Sequence, residues 1–130
     1  MSTIKNFQVT SDDDFHQVCL RVDTAVLTPE MAAQINTFWG GSEARLDDQG
    51  GDVVLAVIRL FGAQCIRHLL EDGGAEFASN DAGQQQRITQ GVLNAEGEGW
   101  PDLESLGILV TSADVYVPEF NTVTLQELHS

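Results

Sequence analysis

Residues 52–71 read DVVLAVIRLFGAQCIRHLLE, and this stretch determines the fold class. Its apolar residues recur at spacings of three and four, the period of a helix with one broad face turned toward a core. Asp52 can cap the N-terminus, and Gly73-Gly74 ends the helix because glycine readily adopts the left-handed conformation. The pattern predicts a central buried helix over residues 53–71. Its apolar arc consists of Val54, Val57, Ile58, Phe61, Cys65 and Leu69.

Two stretches before this helix are typical of strands, residues 4–9 and 15–22, and the polar residues 10–14 join them as a turn. In the second stretch apolar and more polar residues alternate, as expected where one face of a strand meets a core. The apolar set is Val18, Leu20 and Val22. We therefore predict a β-hairpin.

Helix signals also occur on both sides of the central helix. Thr28-Pro29-Glu30 supplies a cap, a proline at the first helical position and an acid in the first turn, which predicts a helix over residues 29–39. A short helical turn over residues 42–49 is compatible with the sequence. A third helix is expected over residues 84–95, although Gly91 weakens it.

The remaining segments are expected to be loops and one more strand. Residues 75–83 are small and polar, and residues 96–105 form an acidic loop around Trp100-Pro101. A strand is expected over residues 106–117, and residues 121–128 fit an edge strand or a final turn.

This order of elements predicts one α+β domain covering residues 1–130. The economical packing is a small antiparallel sheet, made of the N-terminal hairpin and the C-terminal strand, with about three helices on one face. We expect the C-terminal strand to pair with a strand of the hairpin.

The composition excludes several classes of partner. The chain has 20 Asp and Glu against 6 Lys and Arg, a net charge of -14, and its single lysine is Lys5. Because surfaces that bind phosphate need clustered Lys and Arg, we expect no direct binding of nucleic acid and no docking on anionic membranes. The first residues lack a signal-peptide pattern, and two cysteines suit a reducing compartment, so a cytoplasmic location is expected.

No common catalytic signature is present. The sequence contains neither GxxxxGK[ST] nor GxSxG, and twenty carboxylates make any single acidic residue weak support for acid–base chemistry. We therefore name no catalytic residue and expect a protein without enzymatic activity and without a bound cofactor.

Two Cys/His pairs have spacings compatible with a zinc site: His16 with Cys19, and Cys65 with His68. Cys65 and His68 would share one face of a helix. His16 and Cys19 would point to opposite faces of a strand and could converge only through a bulge or an end turn. The alternative is two buried thiols and two surface histidines, and we predict no metal site.

The acidic residues are unevenly distributed along the chain. After Arg87 there is no Lys or Arg, and seven acids contribute half of the net charge. These acids are Glu96, Glu98, Asp102, Glu104, Asp114, Glu119 and Glu127. In extended backbone, acids two residues apart would be about 6–7 Å apart, comparable with neighbouring phosphates of a nucleic acid.

These observations point to the stretch around Trp100 as the contact with a basic protein partner. The predicted contact residues are Glu96, Glu98, Trp100, Asp102 and Glu104. Trp100 has two interpretations, because its ring could anchor a partner or cover the core, and we favour cover of the core. Charge alone favours the simpler interpretation, that the acids only keep the protein soluble.

Several segments resemble a family of short acidic proteins of unknown function encoded on bacterial plasmids, phages and integrated elements. The resemblance covers nearly the whole chain. It is carried by LTPE (27–30), FW (38–39), GDVV (51–54), VIRLFGA (57–63), EGWPD (98–102) and LGI (106–108). It implies no activity, cofactor or catalytic residue. It does imply a mobile-element setting, in which small acidic proteins that obstruct host nucleic-acid enzymes are a known strategy.

The sequence thus predicts a non-enzymatic interaction protein that occupies a basic, nucleic-acid-binding surface of a host protein. The alternative is a small-ligand or metal-binding module that uses the cleft between sheet and helices, with Cys65 and His68 as its support. Both monomers and dimers remain compatible with the sequence.

Overall fold

The computed structural model describes residues 3–13, 15–78, 80–118 and 120–128. Asp14 of the predicted hairpin turn and Glu119 of the acidic set lie outside the described residues. Four strands are formed within the described residues, and they make one antiparallel sheet in the spatial order β1-β2-β4-β3. The strands are β1 (Ile4–Thr10), β2 (Gln17–Asp23), β3 (Ala75–Ala78) and β4 (Ile108–Val115).

The same described residues form five α-helices and one 3-10 turn. The helices are α1 (Pro29–Phe38), α2 (Ser42–Asp48), α3 (Val53–Glu71), α4 (Ala82–Glu96) and α5 (Leu103–Leu106). The 3-10 turn, Phe120–Thr122, follows β4. The predicted α+β class is confirmed, with more helices than the three expected, and the C-terminal strand pairs with the hairpin as predicted, for example at Leu20 opposite Val110.

Helix α3 is the centre of the molecule, as its apolar arc predicts. The Asp52 carboxylate accepts a hydrogen bond from the Leu55 backbone N–H at 3.1 Å and so caps the helix. Phe61 and Cys65 are fully buried against the sheet, and α3 contacts three of the strands and three of the other helices. Gly62 allows this close packing, because a Cβ at that position would overlap the Val9 side chain.

The inner face of the sheet forms the other half of the core. The alternating residues Val18, Leu20 and Val22 of β2 are fully buried, as their period of two predicts. The opposite face of β2 is half-buried and carries Cys19 and Arg21. The sheet thus has one apolar face under the helices and one polar face.

Helix α4 packs on the first part of β4, where the short strand β3 does not pair with it. The Val110 backbone N–H donates to the Thr89 hydroxyl at 2.9 Å, and that hydroxyl donates to the Gln85 carbonyl at 2.7 Å. Strand β3 pairs only with residues 112–115 of β4. A buried threonine of the helix therefore bonds the sheet edge there, which keeps a backbone N–H from being buried without a partner.

Two segments predicted as loops contain regular structure. Residues 75–78 form β3, contrary to the predicted loop. Four residues show too little alternation to predict a strand, and pairing with β4 defines it. The predicted acidic loop contains the four-residue helix α5, which is capped by the Asp102 carboxylate at the Ser105 N–H. The third predicted helix begins two residues earlier than expected because Asp81 caps it.

Other boundaries shift by a few residues. The last strand covers Ile108–Val115 rather than residues 106–117, since Gly107 ends α5 in the left-handed conformation. Residues 121–128 do not form an edge strand; they contain the end of the 3-10 turn and then irregular backbone.

One helix among the described residues, α3, is long and apolar enough to cross a membrane by length and composition. Half of its most apolar window is buried inside the protein, as in the core helix of a globular domain.

Candidate functional site

The candidate contact is the segment 96–104, here called the acidic segment, which joins α4 to α5. Its backbone is not extended throughout, because Glu96 is the last residue of α4 and Glu104 lies in the first turn of α5. The regular spacing of 6–7 Å considered for extended backbone is therefore not formed. The acids of the segment are therefore not spaced like the phosphates of a nucleic-acid strand.

Glu96 is already neutralised within the protein. Its carboxylate lies 2.7 Å from the Arg67 guanidinium of α3, and the Glu96 side chain is only 12% exposed. The hydrogen bond to Glu96 is the main cause of a raised pKa of Arg67. Glu96 therefore ties α4 to α3 and is the least available of the predicted contact residues.

Glu98 and Glu104 are the two acids of the segment most available to a partner. Both are exposed, and neither has a hydrogen-bond or ion-pair partner within the described part of the chain. Asp102 is also exposed, but its carboxylate accepts the Ser105 N–H at 3.0 Å as the cap of α5. A capping carboxylate keeps its charge and has free lone pairs, so three negative charges face solvent over seven residues.

Trp100 holds the acidic segment against the core. Its ring meets Phe61 edge to face with centroids 5.3 Å apart and lies 6.2 Å from the Trp39 ring. The indole N–H donates to the Gln64 amide oxygen at 2.7 Å, and Gln64 itself is buried. These contacts agree with the interpretation that the Trp100 ring covers the core, because the ring is not free to anchor a partner. They also hold the neighbouring acids in position.

The aromatic cluster beside the segment could not be read from the sequence. Phe38 packs edge to face on Trp39, and a Cβ at Gly99 would overlap the Phe38 ring. The buried Trp39 indole N–H has no partner among the described residues. Only the spacing of Trp39 on its helix hinted at this cluster, since Trp100 is 61 residues away in the sequence.

Replacing Glu96 by Gln should have little effect on stability. Arg67 is 57% exposed, and exposed ion pairs contribute about 1 kcal/mol or less to the free energy of unfolding. Urea denaturation of Glu96→Gln and wild type would check this. A loss much above 2 kcal/mol would show that the pair carries more of the α3–α4 contact than its exposure suggests.

The two Cys/His pairs do not come together. Cys19 lies on the outer face of the sheet, whereas Cys65 lies under the inner face and burial raises the pKa of its thiol to about 12. The His16 Nδ1 atom accepts the Tyr116 backbone N–H at 3.1 Å. In the described part of the chain no group of three His, Cys, Asp or Glu side chains is arranged to hold a metal.

A cleft of about 370 Å³ adjoins the acidic segment. Apolar side chains of β1, β4 and α5 line it, together with Arg21, Asp23 and Glu104. Cys65 and His68, the sequence support for a small-ligand module, do not line this cleft.

Comparison with known proteins places the chain in a family. The model of a family described as protein of unknown function (DUF2528) matches residues 17–125. Two relatives are 31% identical over 120 residues, covering 88% of this chain and 88% of each relative. They are protein ea10 of Escherichia phage lambda and the Lambda prophage-derived protein ea10 of Escherichia coli O6:H1.

No solved structure matches the chain. The two relatives come from a phage and a prophage, which confirms the resemblance to proteins of unknown function encoded by phages and mobile elements. Since the family model covers residues 17–125, this chain belongs to the DUF2528 family of proteins of unknown function.

Proposed function

We propose that this is a non-enzymatic phage-type interaction protein that uses its acidic segment to occupy a basic surface of a host protein. The observation that carries the proposal is the group of exposed carboxylates at Glu98, Asp102 and Glu104, in a part of the chain that has no Lys or Arg after Arg87. Because neither Glu98 nor Glu104 forms an ion pair among the described residues, their charge is available to a partner.

The setting and the chemistry together indicate the kind of partner. A basic groove that normally holds DNA or RNA is complementary in charge to a compact group of carboxylates. Relatives encoded by a phage and a prophage make host nucleic-acid enzymes suitable targets. Binding would block the groove sterically and electrostatically, without chemistry, in the bacterial cytoplasm.

The rigid mounting of the segment supports this use. Trp100 packs on the core and Asp102 caps α5, so the acids on either side are held in place before a partner arrives. Preorganised charges lose less conformational entropy on binding than charges on a mobile tail.

Capture from an Escherichia coli lysate tests the proposal with matched variants. The triple variant Glu98→Gln, Asp102→Asn, Glu104→Gln removes three exposed charges while Asn preserves the cap of α5. The control Glu30→Gln, Glu43→Gln, Glu71→Gln removes three exposed charges from α1, α2 and α3. We expect nucleic-acid-binding proteins to be retained at low salt by wild type and control, to be released by salt or heparin, and to be retained at least about tenfold less by the segment variant.

Equal retention by the segment variant and the control would contradict the proposed site. Glu96→Gln should behave like the control, because that carboxylate is already paired with Arg67.

A further inference from the structure

The C-terminal segment Val123–Leu128, here called the tail, exposes three large apolar side chains. Leu125 is 99% exposed, Leu128 83% and Val123 57%. Large apolar side chains left open to this degree mark a contact site when they are clustered. In extended backbone, Val123 and Leu125 would lie on one side together with Glu127, so a strand formed by the tail would carry two apolar side chains and an acid on one face.

The tail begins at the β3 side of the sheet in its own chain. The Tyr116 hydroxyl contacts the Thr122 carbonyl at 3.4 Å, and Thr122 lines a cleft together with Gly74 and Glu76. Strand β1 is at the other end of the order β1-β2-β4-β3, three strand spacings or about 14 Å away.

Strand β1 is the outer strand of the described sheet, and a groove of about 330 Å³ borders residues 7–10 of it. Residues 7–10 of β1 all line it, so residues of both faces contribute and the groove runs along the strand edge. Its apolar walls come from β1 and α3. They are Phe7, Val9, Leu55 and Ile58. A strand edge beside apolar pockets is the arrangement that accepts an added strand.

The charges of the groove and the tail are complementary. No acidic residue among those that the structure describes lines the groove, although 20 of the 130 residues are acidic, and Arg59 is one of the lining residues. Lys5 lies on the same face of β1 as Phe7 and Val9 and adds a second cation near the groove. Arg59 donates a hydrogen bond to the Gln49 amide oxygen at 2.7 Å, a neutral partner that leaves the charge of Arg59 uncompensated. Arg45 and Arg67 are engaged with the end of α1 and with Glu96.

We propose that the tail of one copy adds to the β1 edge of a second copy. Val123 and Leu125 enter the groove, and the Glu127 carboxylate meets Arg59. Two such exchanges related by a two-fold axis close a dimer. This inference is independent of the host partner proposed above, because it uses neither Glu98 nor Glu104.

Sedimentation equilibrium of the full chain tests the exchange. At about 0.15 M NaCl, repulsion between two chains of charge -14 is screened beyond about 8 Å. Under these conditions we expect a dimer with a dissociation constant below about 0.1 mM. Leu125→Asp should weaken the dimer at least about tenfold without lowering the melting temperature, since Leu125 contacts nothing that its removal would expose. Gln126→Asp adds the same charge on the opposite side of the tail and should weaken it much less.

Charge reversal identifies the groove as the receptor. Arg59→Glu should weaken the dimer, and Arg59→Glu combined with Glu127→Arg should restore most of the loss. Mixing Leu125→Asp, which keeps an intact groove, with Arg59→Glu, which keeps an intact tail, should yield a heterodimer joined by one intact contact.

A monomeric wild type at 0.1 mM, or failure of the double reversal to restore association, would overturn the proposal. If the wild-type protein is monomeric but still binds basic host proteins, the strand exchange is contradicted and the proposed function is unaffected.

Discussion

Replacement of Trp100 by alanine is expected to lower the free energy of unfolding by about 3–5 kcal/mol, the usual loss for a large aromatic ring packed in a core. The ring closes the end of the core over Phe61 and Trp39. Its loss also leaves the buried Gln64 amide oxygen without the indole N–H. Urea or thermal denaturation followed by circular dichroism measures the change.

Trp100→Phe is the matched control for this prediction. It keeps an aromatic ring against Phe61 but removes the hydrogen bond to Gln64, so we expect a smaller loss of about 1–3 kcal/mol. An unchanged melting temperature in Trp100→Ala would contradict the packing role. It would favour the alternative interpretation, in which the Trp100 ring anchors a partner.

Gly107→Ala is expected to destabilise the protein by about 2–5 kcal/mol, combining backbone strain with overpacking. Gly107 ends α5 at φ +74°, and a Cβ there would lie 2.9 Å from the Asp23 carbonyl oxygen. The Gly107 carbonyl also accepts the Asp23 N–H at 2.8 Å, so the backbone cannot easily move away. This contact joins the end of β2 to the start of β4.

Gly50→Ala separates the two contributions. Gly50 has φ +65° but open space where a Cβ would stand, so its replacement should cost only the backbone strain, about 1–2 kcal/mol. If Gly107→Ala and Gly50→Ala lower the free energy of unfolding equally in urea denaturation, the close approach to Asp23 contributes nothing to the loss at Gly107.

The sequence predicts the parts of this fold that follow from periodicity and capping. The apolar arc and cap of α3, the alternation of β2 and the Thr28-Pro29 start of α1 are local signals, and the structure confirms each of them. No local signal predicts strand β3, because Ala75–Ala78 becomes a strand only by pairing with β4. The Thr89 contact with Val110 likewise depends on how α4 meets the sheet edge.

The candidate site could be predicted as a region of the chain but not in detail. Counting charges located the acidic segment. It could not show that Glu96 is paired with Arg67, which lies 29 residues away, or that Trp100 reaches Gln64. Both contacts depend on the packing of α3 against α4 and the acidic segment, and no spacing within the sequence encodes them.

The measurement that tests the central proposal most directly is competition for a host protein retained by the acidic segment. That protein, once purified, is bound to a labelled DNA or RNA oligonucleotide at about 0.05 M NaCl and titrated with this protein. We predict that the wild type displaces the oligonucleotide and that the Glu98→Gln, Asp102→Asn, Glu104→Gln variant requires at least about tenfold more protein to do so. Simultaneous binding of the oligonucleotide and the wild-type protein would contradict the proposal.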